Sequence, residues 1–230
     1  MKILIFGSGE INSYDWIKNY LGGRLFVICC DGGCAHANAL GLLPDLIIGD
    51  FDSVDNGLLE FYKGKNVSVI TYSTEKDVTD MEAGLDLALE RPEGEILIFG
   101  GSGSRFDHTL VNVHLLVKAK HKNPWLLGET FRATLITGEK ALEAQEGNTL
   151  TLIPLTGSAT GITTCGLKYP LYRETLDFAA SRGSSNVFVG SSASVTLETG
   201  ILLAVISEGD NAGDKCRSLH SYKTPGCLNG

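Results

Sequence analysis

Residues 44–54 read PDLIIGDFDSV, an aliphatic run that stops at Gly49 and delivers two aspartates around a phenylalanine. Leu46, Ile47 and Ile48 have the character of a short strand buried on both faces. In extended backbone, Asp50 and Asp52 would share one face about 6–7 Å apart, with Phe51 pointing away. At an effective dielectric near 20, like charges at that spacing repel by about 2–3 kcal/mol. A cation, a helix N-terminus or solvent must offset that repulsion. Gly49 reads as a point where a ligand approaches the backbone.

Outward from this stretch, KILIF (2–6), LFVICC (25–30), VSVIT (67–71) and EILIFG (95–100) repeat the theme of a buried strand. Amphipathic segments separate them, a βαβ pattern that implies a mostly parallel sheet. The clearest helix is DVTDMEAGLDLALER (77–91), with Val78, Met81, Leu85 and Leu89 on one stripe and Thr79 and Glu82 as a capping pair. A second covers about 106–121, with Phe106, Leu110, Val113 and Val117 aligned. Beyond about residue 123 the texture changes to short Thr-rich and β-branched runs separated by Gly and Ser, which predict an antiparallel β-sandwich or barrel. The expected fold is therefore α/β: an N-terminal Rossmann-like, mostly parallel sheet with flanking helices (1–125), then a β-rich domain (126–207). Residues 208–230 read as a loosely ordered polar tail.

Composition narrows the function. The formal net charge of −8 over 230 residues argues against nucleic acid as a partner, and an anionic ligand would need local cations or a metal. No apolar run is long enough for a membrane span, so a cytoplasmic protein is expected. The six cysteines (Cys29, Cys30, Cys34, Cys165, Cys216 and Cys227) lack zinc spacing and read as free thiols.

In open parallel sheets, ligands bind outside the carboxyl ends of the strands. Those ends carry Asp31-Gly32-Gly33, then Asp50-Phe51-Asp52-Ser53, then STEKDVTD (73–80), then GGSGSRFDH (100–108). Each has a plainer explanation. DxD is a common turn, Asp77, Thr79 and Asp80 suit a helix start, and GGSGSR suits a strand-to-helix turn. Their convergence is the more specific signal. Up to four carboxylates (Asp50, Asp52, Asp77 and Asp80) at one sheet end suit Mg²⁺, and glycine amides with Arg105 suit phosphate. There is no GxxxxGK[ST] loop, and GSGEIN (7–12) lacks the third glycine of a dinucleotide fingerprint, so a P-loop kinase and a Rossmann dehydrogenase are both disfavoured. No histidine stands out as a catalytic base. His108 serves a ligand or a cap equally well, His114 reads as structural, and His36, His121 and His220 show no partner in sequence.

The order DGG (31–33), PDLIIGDFDS (44–53), EKDVTD (75–80), GGSGSRFDH (100–108), GLKYPL (166–171) and SRGSSN (181–186) resembles the thiamine pyrophosphokinase family. The resemblance spans about residues 2–207. It implies transfer of a diphosphate from ATP to the hydroxyl of thiamine by a homodimer, with thiamine bound near the subunit interface. By the same resemblance Asp50, Asp52 and Asp80 organise Mg²⁺ and phosphate, and Asp77 and Thr79 assist. Asp31, Gly32, Gly33, Ser53, Arg105, Asp107 and His108 would line the nucleotide side. Lys76, Ser185 and Asn186 would face thiamine, the last two from the other subunit. The motif leaves Tyr169 open between ligand and core. Two other readings stand beside it: a metal-dependent DxD nucleotidyl- or glycosyltransferase, and a binding module without turnover. The first leaves EKDVTD and SRGSSN unexplained, and the second has no need to retain four mutually repelling carboxylates.

Overall fold

The apolar runs of the first half become strands β1 (Lys2–Phe6), β2 (Leu25–Cys30), β3 (Leu46–Gly49), β4 (Ser68–Thr71) and β5 (Glu95–Phe99) in a computed structural model that describes residues 1–52, 54–72 and 77–208. All pair in parallel, with Ile3 opposite both Phe26 and Ile96. Leu4, Phe6, Cys29, Ile47 and Tyr62 pack on one face, beneath α1 (Gly33–Ala39) and α2 (Asn56–Gly64). Ile3, Ile5, Ile28, Ile48, Leu85 and Leu116 pack on the other, beneath α3 (Asp80–Leu89) and α4 (Phe106–Lys118). Two-sided burial explains why these strands read as continuous apolar runs instead of alternating ones. β4 departs from that expectation. It is the edge strand, and its Ser68 and Thr71 are exposed.

The capping pair holds: the Thr79 hydroxyl accepts the Glu82 amide at 3.2 Å and α3 begins at Asp80. Val78 lies ahead of that cap and is exposed, while Met81 and Leu85 are buried. In α4 the expected stripe is displaced. Phe106 is 70% and Leu110 46% exposed, and the buried line runs through Asn112, Leu116 and Ala119. His114 is likewise exposed instead of structural. The periodicity identified the helix, but the face was off by one residue.

The sheet does not stop at β5. Strand β6 (Trp125–Leu127) adds in parallel, β7 (Phe131–Ile136) turns back antiparallel, and β14 (Leu202–Ser207), β9 (Thr149–Pro154) and β12 (Asn186–Val187) continue it. The result is one ten-stranded sheet ordered β12-β9-β14-β7-β6-β5-β1-β2-β3-β4. A second, antiparallel sheet of β11 (Glu174–Leu176), β10 (Ala159–Cys165), β13 (Ser192–Thr196) and β8 (Glu139–Glu143) contributes to a separate core of Leu150, Leu152, Ile162, Phe188 and Val195. Strand β14 serves both cores. Leu202, Ala204 and Ile206 enter the β core, while Leu203 and Val205 face the core under α3 and α4. Lys140 on β8 ties the sheets at one corner, donating to Thr134 Oγ1 at 2.7 Å and to Asn123, with its ammonium 5.0 Å from the Trp125 ring centre.

Cys29, Cys30 and Cys34 are buried free thiols and Cys165 is an exposed one; Cys216 and Cys227 lie outside the described residues. No helix among the described residues is long and apolar enough to cross a membrane.

Candidate active site

Strand order reverses between β1 and β5, the position where open α/β sheets form a crevice. The loops leaving these two strands touch. The Gly7 amide donates to the Phe99 carbonyl and the Gly9 amide to the Gly100 carbonyl, both at 2.8 Å. A Cβ at Gly9 would lie 2.3 Å from the Ser102 carbonyl oxygen, and one at Gly7 would lie 2.7 Å from that of Gly100. Glycine is demanded here by backbone-to-backbone contact. In sequence, Gly7-Ser8-Gly9 registers only as an incomplete dinucleotide fingerprint, and this packing role does not show. The signal was available as paired glycines after two strands that flank a reversal.

Two side chains, Asn112 buried and His36 half-buried, fix this floor. Asn112 donates Nδ2 to the Gly101 carbonyl at 2.7 Å. His36 Nε2 lies 2.9 Å from the Gly9 carbonyl and its Nδ1 2.9 Å from the Tyr14 hydroxyl. A carbonyl only accepts, so Nε2 carries the hydrogen and Nδ1 accepts from Tyr14. Burial lowers the His36 pKa, partly opposed by the Gly9 bond, which suits this neutral, structural role. Gly33 is also a packing glycine, because a Cβ there would fall 2.0 Å from the Phe6 carbonyl oxygen.

The acidic residues gather beside this floor. Asp31 follows β2 with φ of 48°, and its amide donates to the Ile48 carbonyl at 2.7 Å. Its carboxylate Oδ1 is buried without a hydrogen-bond partner. Burial raises the Asp31 pKa and the charges of Asp80 and Asp50 raise it further, while the Gly32 and Phe51 amides pull the other way. Asp31 therefore senses two further carboxylates, Asp50 just after β3 and Asp80 at the start of α3. What approaches Gly49 is Asp31: a Cβ on Gly49 would sit 3.0 Å from the Asp31 Cα.

The DFD segment is not extended. Phe51 has φ of 63°, a left-handed conformation rare for a bulky residue, and its ring packs partly buried on the α1/α2 side of the sheet. The backbone turns, and the Asp52 amide donates to Asp50 Oδ1 at 3.3 Å. Asp50 is half-buried and Asp52 exposed. The expected shared face of a continuing strand is replaced by a turn, because β3 ends at Gly49.

Asp77 is exposed, three residues ahead of Asp80 and outside the helix. Arg105 precedes α4 and grips Asp107 with two bonds, Nε–Oδ1 at 3.0 Å and Nη2–Oδ2 at 2.6 Å. That guanidinium holds the Asp107 carboxyl well below the usual carboxylate range. His108 Nε2 stands 4.0 Å from Asp107, and all three side chains face solvent. Ser53 and Lys76 lie outside the described residues. Ser185 and Asn186 belong to the β lobe, where Asn186 lines a cavity of about 290 Å³ with Leu152, Tyr169, Leu171 and Arg182.

Among the described residues, no three carboxylate, imidazole or thiol side chains converge closely enough to hold an ion unaided. The donor chemistry nevertheless suits a hard cation: the groups offered are carboxylates, Asp31 Oδ1 is buried without a hydrogen-bond partner, and the charges of Asp50 and Asp80 act on the Asp31 carboxyl. Mg²⁺ commonly takes one or two carboxylates and completes its octahedron with water and substrate phosphates.

Fold and site together define a class: an α/β protein with an acidic, glycine-floored crevice at its strand ends, continuous with an antiparallel β lobe. Two family models match the chain, "Thiamin pyrophosphokinase, catalytic domain" over residues 17–127 and "Thiamin pyrophosphokinase, vitamin B1 binding domain" over residues 138–202. The chain belongs to the thiamin pyrophosphokinase family, a family of enzymes. It is similar to Thiamine pyrophosphokinase of Bacillus subtilis, with 29% identity over 209 residues, 89% of this chain and 98% of that protein. The crystal structure of that enzyme superposes with a TM-score of 0.82 over 90% of this chain and 99% of its own, at 28% identity. Thiamine pyrophosphokinase 1 of Oryza sativa is 24% identical over 70% of this chain and 66% of its own length.

Proposed function

We propose that this chain transfers the diphosphate of ATP to the hydroxyl of thiamine, yielding thiamine diphosphate and AMP. The observation that supports the reading is that the charges of Asp50 and Asp80 both act on the half-buried Asp31 carboxyl, in a chain whose two halves match the two domains of one family. Residues 1–125 are assigned the nucleotide chemistry and 126–207 the recognition of thiamine. Attack of an alcohol on the β-phosphorus depends on positioning and charge neutralisation more than on a strong base. Bound by Asp50, Asp52 and Asp80, Mg²⁺ would supply the positive charge that an anionic nucleotide needs in an acidic crevice.

The chain's own residues divide the remaining work. Asp31 adds negative charge at the cation's side, and Asp77 and Thr79 border the same turn. The Gly32 and Gly33 backbone permits close packing beside the phosphates. Arg105 is poised to exchange part of its grip on Asp107 for phosphate oxygens, with His108 alongside. Tyr169, 60% exposed at the β-lobe cavity, would give its ring to cationic thiamine in place of the Lys168 ammonium, which stands 5.4 Å from the ring centre. Ser53 and Lys76 keep the roles that the family resemblance implies. A cytoplasmic homodimer, with no nucleic-acid or membrane partner, completes the reading. Both lobes match the same family, which leaves the sugar-nucleotide reading of Asp50 and Asp52 without support.

Incubation with MgATP and thiamine tests the proposal: AMP and thiamine diphosphate should appear in equal amounts. ADP as product, or nucleotide turnover indifferent to thiamine, overturns it. Asp52→Asn should lower kcat by about 100-fold or more, as for loss of other transition-state charge contacts, while leaving the melting temperature unchanged.

A further inference from the structure

We infer that Asn186 is a positioning residue that acts on the β-lobe cavity through the backbone of Tyr169, not through contact of its own with substrate. The inference rests on the thiamine reading above. Segment 166–169 runs antiparallel to 187–189, with the Lys168 amide on the Val187 carbonyl at 2.8 Å and the Val189 amide on the Gly166 carbonyl at 3.1 Å. The backbone ladder goes no further toward Tyr169. The Asn186 carboxamide extends it: Oδ1 accepts the Tyr169 amide at 3.0 Å, and Nδ2 donates to the Tyr169 carbonyl at 2.7 Å. The same Oδ1 accepts the Val187 amide at 2.9 Å.

A carboxamide offers two acceptor sites and two donor hydrogens, so three of its four positions are spent on backbone. Only one N–H is left for anything else. Tyr169 is followed by Pro170, which donates no amide hydrogen, so the peptide beyond it cannot continue the ladder. The carboxamide therefore fixes both polar backbone groups of the residue whose ring stands exposed at the cavity. Ser185, with φ of 52° and its amide on Thr151 Oγ1 at 3.0 Å, sets the turn that aims Asn186 at this segment.

A double-mutant cycle separates positioning from contact. Asn186→Ala and Tyr169→Ala should each raise the thiamine KM by roughly 2- to 30-fold, the range expected for loss of a cation–aromatic contact. The KM for ATP should stay unchanged. The double variant should be no worse than Tyr169→Ala alone, whereas factors that multiply overturn the proposal. Asn186→Asp adds a sign test. It keeps the acceptor but faces the Tyr169 carbonyl with a charge, so the thiamine KM should rise; a fall or no change means that the carboxylate acts on the cation directly. Hydrogen exchange of the full chain reads the clamp without catalysis. Asn186→Ala should lose protection at the Tyr169 amide and keep it at Lys168, and a Tyr169 amide already unprotected in the wild type overturns the proposal. A wild type without thiamine-dependent turnover defeats the functional reading itself, whereas an active wild type with multiplying factors defeats only the role of Asn186.

Discussion

Asp31 holds a carboxylate where burial, Asp80 and Asp50 all disfavour its charge, and one of its oxygens has no partner. Its pKa in the folded chain is raised, so the native state keeps this proton to higher pH than the unfolded chain does. By linkage, stability falls as pH rises through the unfolded and then the folded pKa of Asp31, and the destabilisation is complete above the folded value. Asp31→Asn removes it. Because the residue is only half-buried, screening limits the gain to under about 1 kcal/mol, or about 1–3 °C in melting temperature at neutral pH, shrinking toward zero in acid. Scanning calorimetry at both pH values checks the difference; an unchanged or lower melting temperature at neutral pH would refute the charge argument. Activity with MgATP should fall in the same variant. That pairing is expected where a site is built from mutually repelling groups awaiting a ligand. Phe51, held at φ of 63°, points the same way, since a bulky left-handed residue costs on the order of 1–3 kcal/mol.

At the scale of elements, tight packing between β1 and the start of α1 gives the sharpest test. Gly33→Ala drives a methyl group against the Phe6 carbonyl, whose oxygen stands 2.0 Å from the ideal Cβ position. Such overpacking costs about 1–3 kcal/mol, at the upper end here because the obstacle is backbone. Gly64, the last residue of α2, has nothing within 4 Å of its Cβ position, so Gly64→Ala should be neutral or stabilising by up to about 1 kcal/mol. Urea denaturation of the pair checks the contrast, and equal destabilisation would remove the packing account. This contrast also marks how far sequence reaches. Apolar runs announced the strands, and Thr79 with Glu82 announced the start of α3, because both signals are local. Gly33 and Gly64 look alike in sequence, since what a glycine accommodates is set by a distant neighbour. For the same reason Arg105 could be read as a phosphate grip although its guanidinium meets Asp107, and the α4 face was misjudged by one residue. The convergence of strand ends was legible because parallel topology forces it; the turn at Phe51 was not, because nothing local distinguishes it from continuing strand.

For the whole molecule, the change of texture near residue 123 suggested two bodies, yet one sheet runs through both and β14 lends alternate residues to each core. Neither lobe can lose this strand without opening the other. Heat or urea should therefore unfold the chain in one transition, with helical circular dichroism and amide exchange in the β lobe changing together. Leu203→Ala, on the helix-side face of β14, should shift both probes by the same about 2–5 kcal/mol. Two separated transitions would contradict the shared strand. The contact between the Gly7–Gly9 and Gly100–Ser102 loops carries a different consequence, one for divergence. No side chain fits on Gly7 or Gly9 without parting two backbones, so this part of the crevice is closed to single-step variation. New substrate preferences in a lineage built on this frame have to arise elsewhere, on surfaces such as the open β-lobe cavity, where a changed side chain meets solvent before it meets the main chain.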